Sequence, residues 1–145
     1  HPNALSPRIK SLNYLNNILA KVEGIDAGAP ETLMLNQDGH VAEATGDNLF
    51  IVRDGVVQTP PASDGILVGV TRAEVFDICQ AQDRRAEEVS ITPDDVYSAD
   101  ECFLTGTAAE VIPVVRVDGK SIGDGRPGPV TREVLGEFRR RTKGA

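Results

Sequence analysis

The sequence predicts a mixed α/β domain, a closed or nearly closed mixed sheet with helices on its flank. Three observations carry that reading. Apolar residues recur at helical spacing in three stretches, three pairs of short β-prone runs are each joined by Asp-Gly, and the segments interleave without the regular rhythm of a doubly wound parallel sheet. The 145 residues suffice for one domain with a real core. Only 4% of them are aromatic, so that core must be built mainly from aliphatic side chains.

Each element has its own signal. Leu12, Leu15, Ile18, Leu19 and Val22 fall on one stripe, predicting an amphipathic helix after Lys10 that ends near Gly24. Thr32 to Asn36 and Val41 to Glu43 flank Asp38-Gly39, a hairpin that puts Glu43 at the end of a strand. Leu49 to Arg53 and Val56 to Thr59 flank Asp54-Gly55 in the same way. Pro60-Pro61 breaks the pattern, and Ile66 to Val70 reads as a short extended run. At the Gly69 turn, Thr71 is placed to cap a helix whose inner face carries Val75, Phe76, Ile78 and Cys79. Thr92-Pro93-Asp94-Asp95 supplies an N-cap and a proline at the first helical position, for one or two turns before strand Glu101 to Leu104. The Thr105 turn closes that strand. Val111 to Val117 and Lys120 to Ile122, joined by Asp118-Gly119, predict a third hairpin, and Gly123 to Gly128 a connector. A last helix carries Val130, Val134, Leu135 and Phe138 on one stripe.

Charge and composition exclude several function classes. A formal net charge of -7 without a broad basic face argues against nonspecific nucleic-acid binding. Arg139, Arg140 and Arg141 cluster at the C-terminal end of the last helix, where cations suit the macrodipole, so they read as a solvated helix end. No apolar run approaches membrane-spanning length. Cys79 and Cys102 lie far apart among apolar neighbours, as reduced buried thiols do, and His1 and His40 have no partner at ligand spacing, so no structural metal is expected. The start His1-Pro2-Asn3-Ala4 has neither initiator methionine nor leader features, and the expectation is a fragment or one half of a larger protein.

Four places in the chain offer chemistry. Lys10 precedes a helix and has Tyr14 four residues on; it is either a fixed amine nucleophile or one of the fifteen basic residues turned to solvent. Glu43 lies between alanines, where a carboxylate needs a cation: a protonated heterocyclic nitrogen or an arginine serves equally. Asp47 and Asn48 read as residues that shape the turn. Gly69-Val70-Thr71-Arg72 places N–H groups and a hydroxyl at a helix N-terminus, as a phosphate site or a plain threonine cap. Thr105-Gly106-Thr107-Ala108-Ala109 offers N–H groups and two hydroxyls after a strand, as an anion site or a structural turn. No Walker or dinucleotide fingerprint is present.

Taken together, Arg8-Ile9-Lys10-Ser11-Leu12-Asn13-Tyr14-Leu15-Asn16-Asn17, Ala42-Glu43-Ala44-Thr45-Gly46-Asp47-Asn48-Leu49-Phe50, Leu67-Val68-Gly69-Val70-Thr71-Arg72 and Leu104-Thr105-Gly106-Thr107-Ala108-Ala109-Glu110 resemble, in order and spacing, the fold-type IV pyridoxal-phosphate enzymes. The likeness is strongest to branched-chain amino acid aminotransferases, and Asp118-Gly119 with Gly125-Arg126-Pro127-Gly128-Pro129-Val130-Thr131 extends it over nearly the whole chain. The resemblance implies the pseudo-barrel of that family's large C-terminal domain, pyridoxal 5'-phosphate as cofactor, and transamination between branched-chain L-amino acids and 2-oxoglutarate. It implies that Lys10 joins the cofactor covalently and shuttles the proton, that Glu43 pairs with the pyridine nitrogen, and that Tyr14 bonds the ring's phenolic oxygen. Val70 and Thr71 would hold the phosphate, with the Thr107 hydroxyl, while Thr107 and Ala108 would offer N–H groups to the substrate carboxylate. D-amino acid aminotransferases and aminodeoxychorismate lyases share the cofactor half and stand as alternatives, as does a structural domain without turnover. The family's smaller domain, expected before the lysine, is absent from this chain, so a partner domain and a homodimer or larger assembly, in the cytoplasm, are implied.

Overall fold

The computed structural model describes Lys10 and residues 14–143. Its centre is a hairpin of β3 (Asn48–Arg53) and β4 (Val56–Thr59), closed by Asp54 and Gly55 at φ 50° and 76°. Two successive left-handed residues make the mirror-image turn whose twist matches that of paired strands, which is why Asp-Gly marks it. β6 (Glu101–Gly106) lies antiparallel on the other side of β3, and β7 (Glu110–Val114) antiparallel beyond it. β5 (Ala86–Glu88) adds in parallel to β4, giving a mixed sheet in the order β5-β4-β3-β6-β7.

Strand alternation divides the core between the two faces of this sheet. Phe50, Val52, Val57 and Phe103 point to one face, where they meet Val75, Ile78 and Cys79 of α2 (Val70–Ala81) and Val130, Val134 and Phe138 of α4 (Pro129–Lys143). Phe50 and Phe103 stack there with ring centroids 5.0 Å apart. Leu49, Ile51, Cys102 and Leu104 point to the other face. They meet Val41 and Ala44 of β2 (Val41–Ala44), which pairs with β1 (Leu33–Leu35), and Val96 of α3 (Pro93–Tyr97). One free, buried thiol therefore sits in each half of the core, Cys79 in one and Cys102 in the other. The period-2 pattern of β3 is thus buried on both sides, as a central strand requires. The mixed α/β class with flanking helices is the one the sequence predicts.

Several boundaries move from their expected places. The run Val111 to Val117 is not one strand: β7 ends at Val114, and β8 (Arg116–Val117) turns away to pair with β9 (Lys120–Ser121). Pro113, with no N–H to give, is tolerated because β7 is an edge strand. Thr71 is not the cap of α2. Gly69 is, so Thr71 is the second helical residue, and Ile66 to Gly69 makes no ladder. The thiol-bearing and apolar positions of α2 and the capping box of α3, with Thr92 and Asp95 bonded reciprocally, lie as expected.

α1 (Leu15–Asp26) runs two residues past Gly24, and Leu12 lies outside the described residues. Its stripe is not packed: Leu15, Ile18, Leu19, Val22 and Ile25 are between 47% and 68% exposed. The helix touches the domain through Gly24 instead, where a Cβ would clash with the Thr32 hydroxyl. Asn17 Nδ2 donates to the Thr45 carbonyl at 2.9 Å, and Lys21 pairs with Glu31 at 3.0 Å. No helix among the described residues is long and apolar enough to cross a membrane.

Candidate active site

The site is assembled around the β2–β3 turn. Glu43, third residue of β2, lies opposite Met34 in the hairpin with β1, which fixes its backbone. Its Oε2 accepts the Leu67 N–H at 3.0 Å and the Asn48 side-chain amide at 3.2 Å. The same Asn48 Nδ2 donates to the Leu67 carbonyl at 2.7 Å. Burial pushes the Glu43 carboxyl up to about 7, and the Leu67 N–H and the Lys10 charge pull it back. Lys10 acts on this carboxylate electrostatically without an ion pair, and among the described residues no arginine pairs with it. A half-buried acid with one oxygen tied and a basic side chain nearby suits a protonated heterocyclic nitrogen.

The two glycine turns converge on Asp47 and Asn48. At Gly69 a Cβ would clash with Asn48 Oδ1, and at Gly106 with Asp47 Oδ1. The turn Asp47-Asn48 thus holds the segment leading into α2 and the β6–β7 turn at fixed spacing, because each passes too close for any side chain. Gly69 caps α2 without a side-chain hydrogen bond, so the first N–H groups of the helix stay open. Val70 is exposed there, and Thr71, beside it, is buried. Such a terminus, with its positive dipole end, is a ready anion site.

Thr107 and Ala108 are exposed in the β6–β7 turn, beyond Gly106. Thr105, just before it, is buried opposite Asn48, and its hydroxyl has no hydrogen-bond partner among the described residues. Lys10 is exposed. Tyr14 is the N-cap residue of α1 and 36% exposed, so it precedes the helix rather than sharing a face of it. The structure brings Glu43, the Gly69 segment and the Gly106 turn together, with Lys10 near enough to act electrostatically on Glu43. Asn48 is the functional-looking residue that sequence reasoning assigned only to turn shaping. A buried amide spanning two segments has no sequence signal, whereas the adjacent glycines do.

Residues 1–117 match the family described as amino-transferase class IV. The chain belongs to the class IV aminotransferases. Within that family, it is 44% identical over 137 residues to a putative branched-chain-amino-acid aminotransferase of Methanocaldococcus jannaschii, covering 94% of this chain and 48% of that protein. It is 42% identical over 126 residues to a D-alanine aminotransferase of Bacillus licheniformis, covering 87% of this chain and 44% of that one. Its structure is similar to the T.th. branched-chain amino acid aminotransferase solved with N-(5'-phosphopyridoxyl)-L-glutamate: TM-score 0.93, 41% identity, 96% of this chain and 47% of the other. The chain spans about half the length of the class IV aminotransferases it matches.

Proposed function

We propose that this chain is the cofactor-binding domain of an aminotransferase that moves the amino group between branched-chain L-amino acids and 2-oxoglutarate, with pyridoxal 5'-phosphate as cofactor. The observation that carries the reading is the Glu43 carboxylate, held by one oxygen, with Lys10 acting on it and, across the Leu67 loop, the N-terminus of α2, whose cap Gly69 offers no side-chain hydrogen bond. The donor set fits the cofactor: an acid for a ring nitrogen, open helix N–H groups for a phosphate, and an amine for an aldehyde. The glycine at 69 lets the segment leading into α2 pass against the Asn48 side chain.

When bound, pyridoxal phosphate supplies an electron-accepting ring on which the amino group is exchanged. Lys10 Nζ holds it covalently and moves the proton at the substrate α-carbon. Glu43 keeps a proton on the ring nitrogen, because a carboxylate in a half-desolvated place favours a cation beside it. The Val70 and Thr71 N–H groups and the Thr71 hydroxyl bind the phosphate, joined by the Thr107 hydroxyl. Thr107 and Ala108 offer N–H groups to the substrate carboxylate, and Tyr14 bonds the phenolic oxygen. The phosphopyridoxyl-glutamate in the T.th. enzyme supports glutamate and 2-oxoglutarate as one substrate pair. The active form would include the family's smaller N-terminal domain, in a cytoplasmic homodimer or larger assembly.

A second reading, D-amino acid transamination, is favoured by the 42% identity to the Bacillus licheniformis D-alanine enzyme. Two measurements test both. Pyridoxal phosphate added to the chain gives a protein-bound visible band that Lys10→Ala abolishes; a band that survives the substitution overturns the site. With the small domain supplied, leucine and 2-oxoglutarate yield glutamate. Turnover with D-alanine alone replaces the first reading by the second.

A further inference from the structure

Asn48 stands outside the residues given roles above, yet it is the one that connects them. It opens β3 in register with Thr105 of β6 and is 5% exposed, so its backbone is fixed by the central sheet. Its side chain reaches out of the sheet and is gripped at both ends. Nδ2 donates to Glu43 Oε2 at 3.2 Å and to the Leu67 carbonyl at 2.7 Å, while Oδ1 fills the space that a Cβ at residue 69 would need. The amide has one sensible orientation: flipped, its oxygen would face two acceptors. Leu67 completes the arrangement by donating its N–H to the same Oε2 at 3.0 Å.

Both donors therefore reach one oxygen of Glu43. Oε1 has no hydrogen-bond partner among the described residues and is not one of the fully buried unpartnered atoms. We infer that Asn48 is a positioning residue: it pins Glu43 by Oε2, keeps Oε1 free for a ring nitrogen, and locks the carboxylate to the Leu67–Gly69 segment that leads into the anion site of α2. The role in cofactor binding rests on the function proposed above; the pinning of the carboxylate does not. An amide does this without adding charge, whereas an arginine in its place would compete with the ring cation for the carboxylate. Among the described residues Lys10 is the charged group acting on Glu43; the Leu67 loop and β3 contribute only neutral donors.

The test starts without cofactor. In the 145-residue chain carrying 13C-labelled glutamate, the Glu43 carboxyl is titrated by NMR in the parent, in Asn48→Ala and in Gly69→Ala, which leaves the amide in place but forces it aside. Losing a donor to the carboxylate disfavours its charged form, so both variants are expected to raise the midpoint by about one pH unit, a tenfold weaker ionisation. With pyridoxal phosphate labelled with 15N in the ring, Asn48→Ala, which adds nothing at the N-terminus of α2, is expected to move the ring signal toward the unprotonated value while the phosphorus signal stays. A folded variant with the parent's Glu43 midpoint overturns the inference, and so does an unchanged ring signal in loaded Asn48→Ala. A parent chain with no Lys10-dependent band removes the proposed function instead, and the cofactor-free titration still decides what Asn48 does.

Discussion

Glu43 shows what a functional carboxylate costs the fold that carries it. Its ordinary pKa is 4.5 and burial raises it to about 7, so the folded chain binds that proton more tightly than the unfolded chain does. The sign follows from linkage: stability is full below about pH 4.5 and falls as the pH rises toward 7, because the acid must ionise in a half-desolvated place. The loss is at most about 3 kcal/mol, and less in so far as water reaches Oε1. Glu43→Gln keeps an oxygen for Leu67 and loses the charge. Urea unfolding of the cofactor-free variant is therefore expected to show a flatter stability profile between pH 4.5 and 7 and higher stability at pH 7 than the parent; parallel profiles would contradict the burial argument. The residue itself was legible, as a carboxylate set between alanines. Its partners were not, because Asn48 and Leu67 meet it through contacts across 5 and 24 positions, and nothing in their local sequence marks those distances.

At the scale of elements, the turns announced themselves and the polar anchors did not. Asp-Gly pairs turn two hairpins where the sequence places them, and Thr92 with Asp95 fixes α3, since in each case the signal and the bond lie within a few residues. β5 has no apolar alternation in Ala86-Glu87-Glu88. It is held by its neighbours, through Gln58 to Glu87 at 2.9 Å and the buried Arg72 to Glu88 at 2.6 Å. α4 is likewise started by a residue from far away: Glu101, 7% exposed at the head of β6, accepts the Val130 N–H at 3.0 Å, the Thr131 N–H at 2.7 Å and the Thr131 hydroxyl at 2.7 Å. A carboxylate there caps the first turn and complements the positive end of the helix. Gly128 passes so close that a Cβ would clash with the Glu101 carboxyl group. Glu101→Gln, which keeps the size and halves the acceptor capacity, is expected to destabilise the chain by about 2 kcal/mol in urea unfolding. A change below about 0.5 kcal/mol would mean that the helix starts without it.

For the whole molecule, the fold class followed from patterning because the central strands alternate so plainly, with β3 buried on both faces. The apolar stripe of α1 was legible too, but its packing was not: the stripe is exposed among the described residues, and periodicity carries no information about which side a neighbour lies on. The division of the core gives the molecule two internal reporters. Cys102 is enclosed so thoroughly that its thiol is pushed up to about 12, and burial raises that of Cys79 as well. Neither forms the reactive anion while its surroundings stay closed. Iodoacetamide should leave both untouched in the native chain and then label them at different denaturant concentrations if the two faces open separately, with Cys79 first because α2 lies outside the sheet that encloses Cys102. Mass spectrometry of the alkylated peptides would read that order, and a single simultaneous onset would show that the layers melt as one cooperative unit.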